Sequence, residues 1–163
     1  MESIIIVFVV AVLSGCSSSN TDSGKFLLKA MQDGMAEVRL CQLALQHSQN
    51  DDVKRFAQRM IQDHTRTDQE ISQLASRKGI TLPQDVSEKQ KLTYDALSKL
   101  SGASFDKEFM DHNVSDHEGD VKDFEEQIQK GTDQDIKAFA ARTLPMLQTH
   151  LQLSKEVDGK VKS

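Results

Sequence analysis

Residues 50–79, NDDVKRFAQRMIQDHTRTDQEISQLASRKG, place Val53, Ala57, Met60, His64, Thr67, Ile71 and Leu74 at alternating steps of four and three. Those steps stay on one side of a 3.6-residue turn, so the stretch predicts a long amphipathic helix with a buried seam. Asn50 or Asp51 offers an N-cap and Gly79 a stop. His64 occupies a position in the seam where an apolar side chain would be expected.

The same reading extends outward in both directions. A helix from about Phe26 to His47 precedes the stretch and ends at Ser48-Gln49-Asn50. After it, residues 80–104 hold Pro83, a short helix from about Ser87 to Leu100, and the breaker Ser101-Gly102. A third long helix carries Met110, Val114, His117, Val121, Phe124 and Ile128 on one face until Gly131 closes it. The fourth spans roughly Asp133 to Val157, with Ile136, Ala140, Thr143, Leu147 and His150 in line. Helix formers are abundant and prolines number two, so the fold class is all-α. Two helical hairpins joined by a crossover of some twenty residues have the connectivity of a ferritin-like four-helix bundle, in which the crossover lets helices two and three run parallel.

Each long helix contributes one polar residue to its seam: Glu37, His64, His117 and His150. Three sit near their helix midpoints and His150 about two-thirds along, so the four can meet at one height. A carboxylate and three imidazoles buried together are costly unless compensated, and one metal ion bonds both donor types. Taken singly, a histidine on an apolar face is more often a hydrogen-bonded core residue. The donors suit Zn, Fe, Cu or Ni, and ligand type does not choose among them. Cys41, Met60 and Met146, each four residues from a candidate ligand, would add soft donors for copper, although methionine stripes are more often core. Asp63 and Asp116 precede His64 and His117 and point about 100° away from them. They either orient an imidazole of a neighbouring helix or face solvent. His47 and His112 read as surface residues. A Glu-x-x-His pair, the mark of carboxylate-bridged di-iron bundles, is missing, since Ile61, Val114 and Leu147 stand three residues before the three histidines. Pro145 predicts a kink in the fourth helix that either aims His150 inward or fits the helix to its neighbours.

The N-terminus supplies an address. Ten apolar residues, Ile4 to Leu13, run into Ser14-Gly15-Cys16, which reads as a lipobox. The run is too short to span a bilayer, which takes about 20 apolar residues. Residues 1–15 therefore read as a lipoprotein signal peptide, although Glu2 stands where a basic residue is usual. Cys16 is the lipidated residue, residues 16–24 a flexible tether, and 25–160 the bundle domain. Ser17 is not the aspartate that favours inner-membrane retention, so the expected place is the outer membrane, facing the periplasm. The membrane is then a partner through Cys16. Lipidation also removes the other cysteine with which Cys41 could pair. The chain is acidic, and Lys54, Arg55, Arg59 and Arg66 fall on the outer face of their helix, so nucleic acid is not an expected partner.

Met35-Ala36-Glu37-Val38, Val53-Lys54 with Phe56-Ala57, Met60-Ile61 and Asp63-His64, Leu82-Pro83, Leu97-Ser98 through Phe105-Asp106, and Ala140 through Thr143-Leu144-Pro145 to His150-Leu151 form an ordered series. Together they resemble a large uncharacterised family of bacterial exported proteins, described as a domain of unknown function or as predicted outer-membrane proteins, with a ferritin-like fold. The resemblance runs from about Phe26 to Leu153. It implies the bundle and export, and Glu37, His64, His117 and His150 fall on the family's recurrent polar positions. It implies no established activity or metal. Three functions fit the residues: a lipid-anchored bundle binding one metal ion, for metal handling or stress defence; an envelope interaction protein whose buried polar cluster sets helix register; and a metalloenzyme, for which no nucleophile or base motif argues.

Overall fold

A computed structural model describes residues 22–163. The leader, Cys16 and the tether through residue 21 lie outside the described residues. Helices α1 (Asp22–His47) and α2 (Asp51–Lys78) form one hairpin, and α4 (Gly102–Lys130) and α5 (Gln134–Lys162) the other. Between them α3 (Glu88–Leu97) rides on the crossover. Among the described residues there is no strand, and no helix is long and apolar enough to cross a membrane.

Local chemistry sets the ends. The Asn50 side chain accepts from the amides of Asp52 and Val53, and Gly79 takes the left-handed conformation (φ 65°) that closes α2. Ser87 and Gln90 form a reciprocal capping box at the start of α3. Asp133 caps α5 through the amides of Asp135 and Ile136. Helix α1 begins at Asp22, earlier than the expected Phe26, because Ser23 and Gly24 are buried and the Ser23 hydroxyl accepts from Gln127 of α4. The end of the expected tether is thus helical. Pro145 lies inside α5, which runs unbroken past it.

Contacts at the ends fix the directions. Lys78, ending α2, pairs with Asp133 at the start of α5 (2.9 Å), and Phe26 of α1 stacks edge-on with Phe124 near the end of α4. Each long helix is therefore antiparallel to its neighbours, and α2 and α4 run parallel, as the crossover requires. His47 is not the surface residue expected. Its Nδ1 lies 2.6 Å from the Leu100 carbonyl and its ring rests on Phe105, tying the end of α1 to the end of the crossover.

Two apolar clusters fill the bundle. One gathers Leu40, Ala44, Val53, Phe56, Met60, Phe105, Phe109 and Val157. The other gathers Leu27, Ile71, Leu74, Phe124, Ile136, Phe139 and Leu147. Fully burying each of the larger side chains contributes about 1.5–3 kcal/mol. Glu37, His64, His117 and His150 fall in sequence between members of the two clusters on every long helix, so a polar layer divides the core at mid-height.

The buried face of α4 differs from the expected one. Val114, Val121 and Ile128 are half-buried, whereas Asp106, Asn113, Asp120 and Gln127 are buried. Some of these polar groups find local partners: Asn113 Nδ2 donates to the Phe109 carbonyl, and Gln127 to Ser23.

Gly34 of α1 lies against the Asp68 side chain of α2. A Cβ built there would sit 2.1 Å from Asp68 Oδ1. Gly34→Ala is expected to destabilise the protein by about 1–3 kcal/mol through overpacking. Asp68→Ala in the same chain should recover most of the loss, as read by urea unfolding of the two single variants and the double.

Candidate metal centre

His64 projects from α2, His117 from α4 and His150 from α5, and one ligand nitrogen of each lies within 4.8 Å of the others. The rings are in mutual contact, with centroids 5.3 to 5.8 Å apart. His117 and His150 are 0 % exposed and His64 4 %. The spacing that put each on an apolar seam is what carries them to this depth.

Hydrogen bonds set which ring nitrogen of His117 and of His150 stays free to bind. His117 Nδ1 donates to the Asn113 carbonyl one turn back (2.9 Å), leaving Nε2 as the lone-pair nitrogen. His150 Nε2 donates to Asp63 Oδ2 (2.9 Å), leaving Nδ1. These two nitrogens, with His64 Nε2, are buried without a hydrogen-bond partner. Burial holds all three imidazoles neutral. It pushes His64 well below the usual histidine range, assisted by the His117 and His150 charges, and His117 down to about 4 against the bond to Asn113. His150 is lowered by burial although Asp63 opposes the shift.

Asp63 therefore holds an imidazole of a neighbouring helix, the first of the two roles open to it in sequence. Asp116 does not. Its carboxyl approaches Glu37, and its charge acts on His117 beside it.

Glu37, the fourth expected ligand, is buried at 1 % exposure but is not in the convergent set. Its Oε2 accepts from the Cys41 thiol (3.8 Å), and its Oε1 has no partner. Burial and then the carboxylates of Asp116, Asp120 and Asp33 push its pKa well above the usual range. The reason is packing: α1 turns this side chain toward α4, where Asp120 lies buried. Asp120 had no signal in the apolar pattern, which pointed to Val121 instead.

The expected soft donors are otherwise engaged or distant in role. Cys41 is the free, buried thiol that bonds Glu37, and Met146 Sδ accepts from Thr67 (3.9 Å). Met60 packs in the apolar cluster. His112 is half-buried and contributes a repulsive charge to His117.

Three buried imidazoles on three helices, each with a ring nitrogen that lacks a hydrogen-bond partner, make a donor set that one cation can satisfy. Such sites commonly fix imidazole orientation with a carboxylate behind the ring, the position Asp63 takes.

Solved structures that share the fold include two DUF305 proteins. One is a DUF305 fragment from Deinococcus radiodurans, 14 % identical, covering 85 % of this chain and 95 % of its own, with a TM-score of 0.75. The other is a DUF305 protein from Streptomyces coelicolor described as secreted, 11 % identical, covering 90 % of this chain and 96 % of its own, with a TM-score of 0.76. No curated protein matches the sequence. The sequence pattern of a domain of unknown function, DUF4142, matches residues 14–157, nearly the whole chain, and the protein belongs to that family.

Proposed function

We propose that the bundle holds one transition-metal ion through His64, His117 and His150. The observation that carries this reading is a set of three buried histidines, each with an unpartnered ring nitrogen, whose ligand atoms come within 4.8 Å of one another. Leaving a buried polar group unsatisfied costs about 1–3 kcal/mol each, and one ion removes all three penalties together. The ion supplies Lewis acidity or a redox couple when bound. The protein's part is to keep the imidazoles neutral, to hold His117 so that it presents Nε2 and His150 so that it presents Nδ1, and to exclude bulk water. Neutral imidazole suits Zn, Fe, Cu and Ni.

The connectivity supports a ferritin-like bundle as the scaffold. We place it in the cell envelope, lipidated at Cys16 and facing the periplasm from the outer membrane. The Ile4–Leu13 run with Ser14-Gly15-Cys16 supports the anchor, and the likeness to a DUF305 protein described as secreted agrees with export. In that compartment the ion would serve metal handling or defence against oxidative stress.

The test is metal content. A chain lacking residues 1–16, purified without an affinity tag, should carry or take up one equivalent of metal, and His64→Ala or His150→Ala should weaken that binding about a hundredfold. A protein indifferent to added Zn, Cu, Ni and Fe overturns the reading. Asp63→Asn should weaken binding by about 10- to 100-fold, because the carboxylate that orients His150 is lost. Competition against a chelating dye measures it.

A further inference from the structure

The three imidazoles are not held alike. His117 donates from Nδ1 to the Asn113 carbonyl of its own helix (2.9 Å), and His150 donates from Nε2 to Asp63 of α2 (2.9 Å). Among the described residues no hydrogen bond holds the ring of His64, whose Nε2 is buried without a partner. Only ring contacts place it, with centroids 5.8 Å from His117 and 5.3 Å from His150. His117 and His150 are 0 % exposed, and His64, at 4 %, is the one of the three that reaches solvent.

The centre also has to contract when an ion binds. Its ligand atoms lie up to 4.8 Å apart. Two nitrogens on one tetrahedral ion are about 3.3 Å apart, given bonds of about 2.0–2.1 Å. Closing the gap by moving His117 or His150 would break the hydrogen bond that orients the ring, and the bond of His150 to a carboxylate is of the stronger kind. Moving His64 breaks none. Asp63 and His64 are neighbours on α2, so this helix holds His150 with one residue and offers the untied ring with the next.

We propose that His117 and His150 form a standing two-nitrogen seat for the ion and that His64 is its exchangeable third ligand, swinging in when the ion binds and out when it leaves. The proposal rests on the metal-binding reading above. A small nitrogen or sulfur donor from outside then replaces His64 first, and the ion is handed on from the His64 side. Loss of the His64 ring leaves both oriented nitrogens in place, and a free imidazole can take the vacated position. Loss of His117 or His150 leaves one oriented ring beside one untied ring, with no seat for the ion.

The experiment titrates Co(II) into the unaltered protein and into His64→Ala, His117→Ala and His150→Ala, with and without millimolar free imidazole, and follows the visible absorption of the bound ion. Each variant should bind about a hundredfold more weakly than the unaltered protein. Imidazole should recover about tenfold of that loss in His64→Ala and none in the other two. Equal recovery in all three, or none in His64→Ala, overturns the exchange. Should a variant fail to fold, the unaltered, metal-free protein gives the second test. Nitrogen NMR of its histidines should show one tautomer at His117, protonated on Nδ1, one at His150, protonated on Nε2, and a mixture at His64. A single tautomer at His64 would mean that its ring is held like the others, which overturns the proposal. Absence of Co(II) binding by the unaltered protein removes the metal-binding reading and the exchange with it, whereas binding without selective recovery removes the exchange alone.

Discussion

His64→Leu should raise the stability of the metal-free protein and, at the same time, remove most of its affinity for metal. His64 is 4 % exposed, and its Nε2 is buried with no partner. Leucine has a similar volume and no polar atom to desolvate, so the metal-free bundle should gain about 1–3 kcal/mol. For a domain of this size that raises Tm by roughly 2–10 °C. The bound protein should move the other way. Structural zinc sites contribute about 10–16 kcal/mol over four ligands, or about 3 kcal/mol per ligand, so one lost imidazole weakens binding about a hundredfold. Melting curves with and without Zn(II) separate the two effects. A metal-free His64→Leu protein less stable than the original by more than about 1 kcal/mol would mean that the imidazole makes a stabilising bond of its own, as a register-setting core histidine does.

The seams of α2 and α5 were legible because their polar intruders are few. Met60, His64, Ile71 and Leu74, and Ile136, Ala140, Thr143, Leu147 and His150, are all buried where the spacing put them. Helix caps were equally plain, since Asn50, Ser87, Asp133 and Gly79 act through local geometry that the neighbouring residues already contain. Helix α4 misled the pattern. Its apolar residues describe a face through Val114 and Val121, but the helix turns Asn113 and Asp120 inward. An i−4 carbonyl admits Asn113, whereas Asp120 is buried against the carboxyl of Asp33 on α1, its burial and then that charge raise its pKa, and that setting depends on which helix packs alongside. Glu37 illustrates the same limit. Its depth followed from Leu40, Cys41 and Ala44 on the same face, but the direction of its carboxyl followed from α4. His47 was assigned to the surface because it ends a helix, and the crossover returned to cover it. Distance along the chain, 53 residues in that case, is what the local pattern does not see.

Metal affinity should fall far less between pH 7 and pH 5.5 than at an exposed trihistidine site. Three solvent-exposed histidines with pKa values near 6.5 would each lose about tenfold per pH unit below that value, so a trihistidine site on a surface would weaken by roughly a thousandfold at pH 5.5. Here the imidazoles are already held neutral. His117 titrates at about 4, His64 lies well below its usual value, and His150 is lowered by burial against the pull of Asp63. Protons therefore compete with the ion at lower pH than they would at a surface site. The same shifts fix the sign for folding. These groups are depressed in the native state, so between their folded and unfolded values the unfolded chain binds more protons, and stability falls as pH falls. For His117 alone, the interval from about 6.5 to about 4 corresponds to roughly 3 kcal/mol, lost from the metal-free protein as the pH drops through it. A bound ion keeps the imidazoles deprotonated and shifts that loss to lower pH. Competitive titrations at pH 7.0 and 5.5 check the affinity, and acid unfolding with and without Zn(II) checks the linkage. A thousandfold loss of affinity at pH 5.5 would mean that the three rings titrate as hydrated imidazoles do, contradicting the burial on which the metal centre depends.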